Sequence, residues 1–278
     1  MSGTSASMDW HPAFLARSPM LEPLMLHAGS LRQASDWPQK SAMERLLSSR
    51  AVLTAGGVPL SLVSKPNSEP YEKRIRERAE MHYRERDWHD LFNALVWLTY
   101  PRTKAALNDA QYAAMAAERS SAGIQRRGAR RDALTLFDEN GAVVVASDPT
   151  LLDDVRRFRW KTLFWTRRRE VERAMRVFVL GHALLHKALE PYVGMTAHAV
   201  LLTVDEGFIA RDPSAQLDAV DVLAAAALSQ LTAPRALAPL PLLGVPGWWA
   251  ENAEEAFYDN VAYFRTGRRA TAGRETSR

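Results

Sequence analysis

The sequence predicts a predominantly helical α+β fold, built as a single domain with short β-hairpins and flexible termini. First, 278 residues of which 47% are hydrophobic are enough for one sizeable core. Second, segments with apolar residues at helical spacing outnumber the short β-rich runs. Third, the chain has no internal repeat and no obvious domain linker. We expect a loosely structured N-terminal arm at residues 1–35, one α+β domain at 36–264 and a basic disordered tail at 265–278.

The composition excludes several kinds of site. The chain has no cysteine, so disulfides, thiolate metal ligands and cysteine nucleophiles are excluded together, and a metal site must use His, Asp or Glu. The first residues lack the charged start and apolar run of a secretory signal. The most apolar segments are interrupted by charged residues or prolines, which argues against a membrane span. We therefore expect a cytoplasmic protein without membrane contact.

The whole net charge of +4 is located at the C-terminus. From residue 265 onward the chain carries five arginines and one glutamate, and the remainder sums to zero. A neutral body has no overall field that would attract a polyanion. Nucleic acid is therefore disfavoured as a partner, and a small anionic substrate is the alternative.

The first half of the chain predicts a hairpin followed by three helices. Residues 51–63 indicate two short strands around a Gly-Gly turn, and Pro59 favours an edge position for the second strand. A charged helix is expected from Tyr71 to about residue 85. Asp87 can cap a second helix that ends near residue 99. Pro101 can occupy the first turn of a third.

The second half mixes strands and helices. Residues 133–145 contain two β-rich runs around Asp-Glu-Asn-Gly, which predicts a hairpin because Asn-Gly tolerates positive φ. Residues 151–189 are expected to be mostly helical. A strand is predicted at 197–204 and an amphipathic helix at 212–231.

His89, Asp90 and Asn93 lie at the start of the helix capped by Asp87. His89 and Asn93 share a helix face, and we take His89 and Asp90 as candidate catalytic residues. An adjacent His-Asp pair is also the signature of the HD superfamily of metal-dependent phosphohydrolases, but that pattern needs a further upstream His, and His82 is too close. The structural alternative is that the two aspartates cap the helix and His89 bonds a neighbour.

Lys104 and Asn108 share a face of the next helix. If the helical hairpin closes with Asn93 facing Lys104, a corner results in which the lysine supplies charge and the amides supply donors. We take these three residues and Arg131 as candidate substrate-binding groups for an anion. The alternative is a solvated lysine and an asparagine that caps a turn.

His182 and His186 have the i, i+4 spacing that lets two imidazoles meet one cation. His198 is the candidate third ligand, and Asp138 or Glu139 could add a carboxylate. Such a centre, holding Zn²⁺ or another divalent metal with a position left for water, would be hydrolytic. Against this, the Ala-Leu-Leu between the first two histidines is typical of a core helix, and turn chemistry explains an aspartate in a hairpin.

Residues 156–169 interleave arginines with aromatic residues, a composition that binds single strands of nucleic acid by phosphate contact and stacking. The plainer interpretation is an amphipathic segment in which Trp160, Leu163 and Phe164 are buried and the arginines face water. The neutral body of the chain favours the plainer interpretation.

The chain resembles the bacterial family called domain of unknown function 3025 over most of residues 70–265. The blocks that carry the resemblance are 71–75 with the hairpin 88–108, 131–139, 181–184 with 196–198, 240–249 and 257–259. The resemblance implies a bacterial cytosolic protein and places the following residues together: His89, Asp90, Asn93, Arg131, Asp132, Asp138, His182 and His198. His186 stands where the family pattern more usually has an acidic residue, which departs from a strict three-histidine site.

These patterns lead to two functional hypotheses. The leading one is a divalent-metal-dependent hydrolase acting on a phosphoester or another anionic substrate, motivated by the clustering of His, Asp, Asn and Lys in otherwise apolar helices. The alternative is a non-catalytic binding protein, for nucleic acid or a protein partner, that uses the basic aromatic helix 156–169.

Overall fold

The computed structural model of the chain describes residues 9–120 and 128–267, with the backbone alone at 119 and 120. The α-helices in this part are α1 (Glu22–Ala28), α2 (Lys40–Ser49), α3 (Tyr71–Arg78), α4 (Trp88–Thr99), α5 (Pro101–Ser120), α6 (Ala129–Asn140), α7 (Pro149–Arg156), α8 (Arg168–Ala174), α9 (His182–Lys187) and α10 (Pro213–Ala227). The strands are β1 (Ser61–Val63), β2 (Glu80–His82), β3 (Gly141–Ala146), β4 (Met175–Val179), β5 (Thr196–Thr203) and β6 (Ala238–Pro241). The chain is α+β and mainly helical, as the sequence predicts.

Four strands form a mixed sheet in the order β4-β3-β5-β6. The central strand β3 is buried along its whole length, which agrees with its uninterrupted run of small and β-branched residues. It pairs in parallel with β5 and antiparallel with β4, and β6 pairs antiparallel with β5. Pro239 and Pro241 lie on β6, an edge strand, where a missing N–H is tolerated.

Helix α4 is the central helix of the fold. Every residue of α4 except His89 is buried, and the helix contacts α1, α2, α5 and α9. Asp87 caps it as predicted, because its carboxylate accepts a hydrogen bond from the Asp90 amide at 3.0 Å. The polar residues His89, Asp90 and Asn93 therefore lie in the N-terminal half of a helix that is otherwise almost entirely buried.

The N-terminal arm is more ordered than the loose segment expected from its composition. Residues 9–35 form α1 and several short 3₁₀ turns, and Phe14 and Leu24 are completely buried. α1 packs directly on α4, so its apolar side chains complete the core of the domain. Residues 1–8 and the tail from residue 268 lie outside the described part of the chain.

The hairpin predicted at 133–145 is wrong. Residues 129–140 form helix α6, and Gly141 then begins β3 directly. Leu134 and Phe137, three residues apart, lie on the buried helix face, so helical spacing prevails over the turn signal of Asn-Gly. The antiparallel partner of β3 is β4 and not residues 133–140. β4 lies inside the segment 151–189, which was predicted to be mostly helical.

The first predicted hairpin and helix also need correction. The helix from Tyr71 ends at Arg78, because Ala79 adopts the left-handed conformation with φ of 56° and β2 follows. β1 pairs in parallel with β2, whereas residues 51–63 contribute a single antiparallel bridge between Leu53 and Pro59.

The last predicted strand and helix are confirmed as β5 and α10. Leu217, Val220 and Ala224 form the buried face of α10, as their spacing predicts. Within residues 9–120 and 128–267, none of the helices combines the length and the apolar character needed to cross a membrane.

Candidate functional site

Three helix termini meet at one place on the fold. The first turn of α4 contributes His89 and Asp90, the last turn of α6 contributes Asp138 and Glu139, and the first residue of α9 contributes His182. α4 and α6 each contact α9 in the core. The cluster therefore draws on segments that lie up to about ninety residues apart in the sequence and depends on tertiary packing.

Gly181 allows α9 to start against the junction of α6 and β3. A Cβ atom at this position would lie 2.4 Å from the Gly141 nitrogen and 2.6 Å from the Asn140 Cα. The amides of Leu180 and Gly181 both donate to the Gly141 carbonyl, at 3.0 and 2.9 Å. Because no larger residue fits this contact, the glycine is what brings His182 beside the end of α6.

The two histidines converge on one carboxylate. Nε2 of His89 lies 3.6 Å from Glu139 Oε2, and Nε2 of His182 lies 3.5 Å from the same atom. The imidazole centroids are 4.5 Å apart with an interplanar angle of 80°. Ligand-capable atoms of these three residues all lie within 4.8 Å of one another.

These spacings suit a common cation. Ligand atoms about 2.0–2.1 Å from a tetrahedral zinc are roughly 3.3–3.4 Å from one another. The two distances to Glu139 exceed that value by only a few tenths of an ångström. Small side-chain rotations are therefore sufficient for the carboxylate and either imidazole to share a metal ion.

An aspartate lies near the other nitrogen of each histidine. His89 Nδ1 lies 3.5 Å from Asp90 Oδ1, and His182 Nδ1 lies 3.7 Å from Asp138 Oδ1. These distances are longer than hydrogen bonds, and both buried Nδ1 atoms lack a hydrogen-bond partner. A small rotation of either ring would bring its Nδ1 to the aspartate, the usual outer-shell partner of a histidine metal ligand, and leave Nε2 for the metal.

The charges of the cluster are strongly coupled. Ion pairing with Asp90 and Glu139 raises the pKa of His89 to about 9 against the opposing effect of burial. His89 in turn lowers the pKa of Glu139. Burial opposes the ionisation of Asp90, but His89 and Arg84 outweigh it and hold the pKa of Asp90 well below its usual range.

Asp138 is held ionised in the same way. Burial disfavours its charge, but Lys104 and His182 together keep the pKa of its carboxyl far below the usual value. The Lys104 ammonium contacts Asp138 directly and lies 5.7 Å from the centroid of the Trp97 ring. A buried lysine thus supplies the counter-charge behind His182.

One side of the cluster is open to solvent. The His89 and Glu139 side chains are 40% and 36% exposed, whereas His182 is 4% exposed. A metal held by the three would therefore have protein on one side and water on the other. That is the requirement for a site with an open coordination position.

The predicted anion-binding corner is assembled but already engaged by protein groups. Lys104 pairs with Asp138, and Asn93 donates to the Tyr71 hydroxyl at 2.8 Å. Asn108 donates to a backbone carbonyl at 3.1 Å, and Arg131 pairs with two glutamates. Lys104 thus lies behind Asp138 of the cluster, whereas Asn108 and Arg131 are bound to groups outside it.

The three-histidine set predicted from the sequence is not brought together. His186 lies one turn along α9 from His182, with its ring stacked on Phe92 at a centroid distance of 6.3 Å. His198 lies on β5 opposite Gly141 and Pro239 and lines a separate cavity. In the described part of the chain, two groups of three residues have ligand atoms close enough to hold one metal ion. They are His89, Glu139 and His182, and Asp87, His89 and Asp90. Neither group includes His186 or His198.

Glu139 is the ligand candidate that sequence reasoning discounted. A hairpin at 133–145 makes turn chemistry a sufficient reason for the acidic pair at 138 and 139. On helix α6 that reason disappears, because carboxylates are disfavoured near a helix C-terminus. Had residues 129–140 been predicted as a helix, two acidic residues in its last turn would have had no structural reason. They would then have indicated a functional site.

The basic aromatic segment 156–169 has two of its four aromatic rings in the core, and Phe158 and Trp165 are half-buried. Trp160 and Phe164 are 4% and 0% exposed, and Arg167 pairs with several carboxylates, including Asp154 at 2.7 Å. Stacking of nucleic-acid bases needs exposed rings. These contacts support the interpretation of the segment as an amphipathic structural element.

The comparison with protein families gives one result. The model of a family described as "Protein of unknown function (DUF3025)" matches residues 60–268, which include every residue of the histidine–carboxylate cluster. The searches of curated proteins and of solved structures found no match to the chain.

Proposed function

The chain belongs to the DUF3025 family, whose description states no activity, and from the geometry of the site we propose that it is a divalent-metal-dependent hydrolase acting on a phosphoester or another anionic substrate. The observation that carries the proposal is the convergence of two Nε2 atoms on one oxygen of Glu139, each imidazole having an aspartate oxygen within 3.7 Å of its Nδ1. His89, Glu139 and His182 are the proposed ligands.

The donor set supports this reaction class. Two imidazoles and one carboxylate with an open position are the ligands of hydrolytic zinc centres. A divalent metal bound there would lower the pKa of a bound water and polarise the substrate. This assignment changes His89 from a candidate catalytic residue to a metal ligand, and it replaces His186 and His198 by His89 and Glu139.

The remaining residues of the cluster hold the ligands in place. Asp138 faces Nδ1 of His182, and the buried Lys104 keeps that carboxylate charged. Asp90 does the same for His89, with Arg84 donating to it from Nε at 2.8 Å. Lys104 and Arg84 are therefore proposed as positioning residues.

The charge balance makes the metal the group that would attract an anionic substrate. Asp138 pairs with Lys104, whereas Asp90 and Asp87 share Arg84. With Glu139, the four carboxylates and two cations sum to −2, which a divalent cation held by two neutral imidazoles would bring to zero. A phosphoester is the substrate class to assay first, because metal centres stabilise the charge that develops during its hydrolysis.

Metal content tests the proposal. Elemental mass spectrometry on gently purified, untagged protein should find near-stoichiometric divalent metal in the wild type. The metal should be lost in Glu139→Gln and in His182→Ala, because each removes a ligand. His198→Ala is the matched control and should retain it, since His198 lies in a different cavity.

Activity completes the test. The metal-loaded wild type should hydrolyse a chromogenic phosphoester, and Glu139→Gln should reduce kcat/KM by at least about a hundredfold. Wild-type protein that binds no divalent metal after dialysis against micromolar Zn²⁺ or Mn²⁺ would overturn the metal site. Tight metal binding without hydrolysis of phosphate or carboxylate esters would overturn the hydrolase.

A further inference from the structure

A second cavity, of about 550 Å³, lies beside β5 and β6. Its volume falls within the range of roughly 300–1,000 Å³ that is usual for small-molecule sites. The residues that determine its chemistry are Phe158, Trp160, His198, Arg235, Tyr263 and Arg265. None of the proposed metal ligands lines it.

Most of the wall is apolar and rigid. Trp160 and Tyr263 contribute aromatic rings whose polar atoms are satisfied elsewhere: the Trp160 Nε1 donates to the Arg265 carbonyl at 2.7 Å, and the Tyr263 hydroxyl donates to the Met195 carbonyl at 2.7 Å. Several prolines complete the wall and offer no backbone donor. The interior therefore favours a flat or aliphatic apolar body.

The charged groups on the wall are all of one sign. Arg235 and Arg265 line the cavity, and none of its lining residues is an aspartate or glutamate. Both arginines are exposed, and within residues 9–120 and 128–267 neither forms an ion pair with a carboxylate. Arg265 donates from Nε to the carbonyl of Ala262 at 3.2 Å. The guanidinium donors left over suit a carboxylate, which they bind in a planar, bidentate manner.

The backbone at Phe158 is a second, independent observation. Phe158 has φ of 58°, in the left-handed region that a bulky residue seldom occupies. It directly follows the C-cap of α7, where glycine or asparagine is the usual residue. The strain places an aromatic ring in the cavity wall, 5.7 Å from the Trp160 ring centroid. Such strain is often found at ligand sites.

We propose that this cavity binds a small amphiphilic carboxylate, with the apolar body among Phe158, Trp160 and Tyr263 and the carboxylate at Arg235 and Arg265. The ligand class follows from an apolar wall with unpaired guanidinium groups.

Isothermal titration calorimetry on the full chain tests the site, with 2-naphthoate and decanoate as probes and 2-naphthol as the uncharged analogue. A chelator in the buffer keeps the probes from binding to metal at the other site. The wild type should bind at least one carboxylate about tenfold more tightly than its uncharged counterpart. Arg235→Gln should remove that preference and leave the affinity for 2-naphthol unchanged.

Two variants separate the parts of the site. Phe158→Asn, which suits the left-handed backbone, should weaken 2-naphthoate and 2-naphthol alike, because it removes the aromatic wall. Arg32→Gln, an exposed arginine outside the cavity, is the matched control and should bind as the wild type does.

Three results would overturn the proposal. The first is no binding of either carboxylate tighter than about 1 mM by the folded wild type. The second is equal affinity for 2-naphthoate and 2-naphthol. The third is binding that appears only after truncation at Gly267, since the tail would then be the natural occupant. None of these results depends on the metal content of the protein.

Discussion

His89 stands between two carboxylates, and this position makes its proton a competitor of any metal. Asp90 and Glu139 stabilise the imidazolium and raise the pKa of His89 to about 9, so the metal-free side chain is protonated at neutral pH. A metal must displace that proton before it can bind Nε2. The same contacts that orient the ligand therefore make its affinity for metal depend on pH.

We expect metal affinity to rise with pH until His89 is neutral. Below a pKa of about 9, each pH unit should increase the apparent affinity by about tenfold for this one proton, and the increase should level off above it. Titration of the chelator-treated protein with Zn²⁺ against a competing indicator between pH 6.5 and 8 measures the slope. An affinity that does not change over this range would contradict the role of His89 as a ligand.

At the scale of elements, helix termini determine where the polar groups lie. The first turn of α5 is capped by Asp221 of α10, whose carboxylate accepts hydrogen bonds from the amides of Arg102 and Thr103 at 2.9 and 2.8 Å. The start of α9 is similarly determined by a distant contact, that of Gly181 with the end of α6. Both contacts join segments that are far apart in the chain.

Gly181→Ala should weaken metal binding without removing a ligand. The added Cβ would meet backbone atoms of Asn140 and Gly141, which cannot rotate away, so α9 must shift and carry His182 with it. We expect a loss of about 1–3 kcal/mol in the free energy of unfolding and a clear loss of metal affinity.

Gly29→Ala is the matched control, because no atom lies within 4 Å of its added Cβ. It should leave metal affinity unchanged. Urea unfolding and Zn²⁺ titration of both variants measure the two effects. Equal metal affinity in the Gly181→Ala variant and the wild type would show that α9 is not positioned by this contact.

At the scale of the whole molecule, the N-terminal arm belongs to the core that supports the site. α1 packs on α4, the helix that carries His89 and Asp90. Leu24 is 0% exposed on this helix, whereas Leu26, two residues further on, is 47% exposed. Because both leucines lie on α1, replacing each by alanine separates the effect of burial on the free energy of unfolding from the effect of helix propensity.

Leu24→Ala should lower the free energy of unfolding by about 2–5 kcal/mol, because it leaves a cavity in the core. Leu26→Ala should change it by less than about 1 kcal/mol, since its side chain is half exposed. Urea denaturation followed by far-UV circular dichroism gives both values. Similar losses in the two variants would place α1 outside the core.

Several features could be predicted from local sequence. The Asp87 cap, the proline at the start of α5, the apolar stripe of α10 and the run of β5 each depend on residues within one or two turns of one another. Local spacing and capping chemistry act at this range, so the sequence alone determined these elements and the mainly helical α+β class.

The cluster itself was decided by tertiary structure. The family resemblance placed His89, Asp90, Asp138 and His182 together, but residue spacing grouped His182 with His186 and His198, and Glu139 was discounted. The reassignment depends on α6 being a helix that ends at Asn140 and on Gly181 fitting against that end. Spacing along a chain specifies which residues share a helix face, whereas only packing decides which helix termini meet.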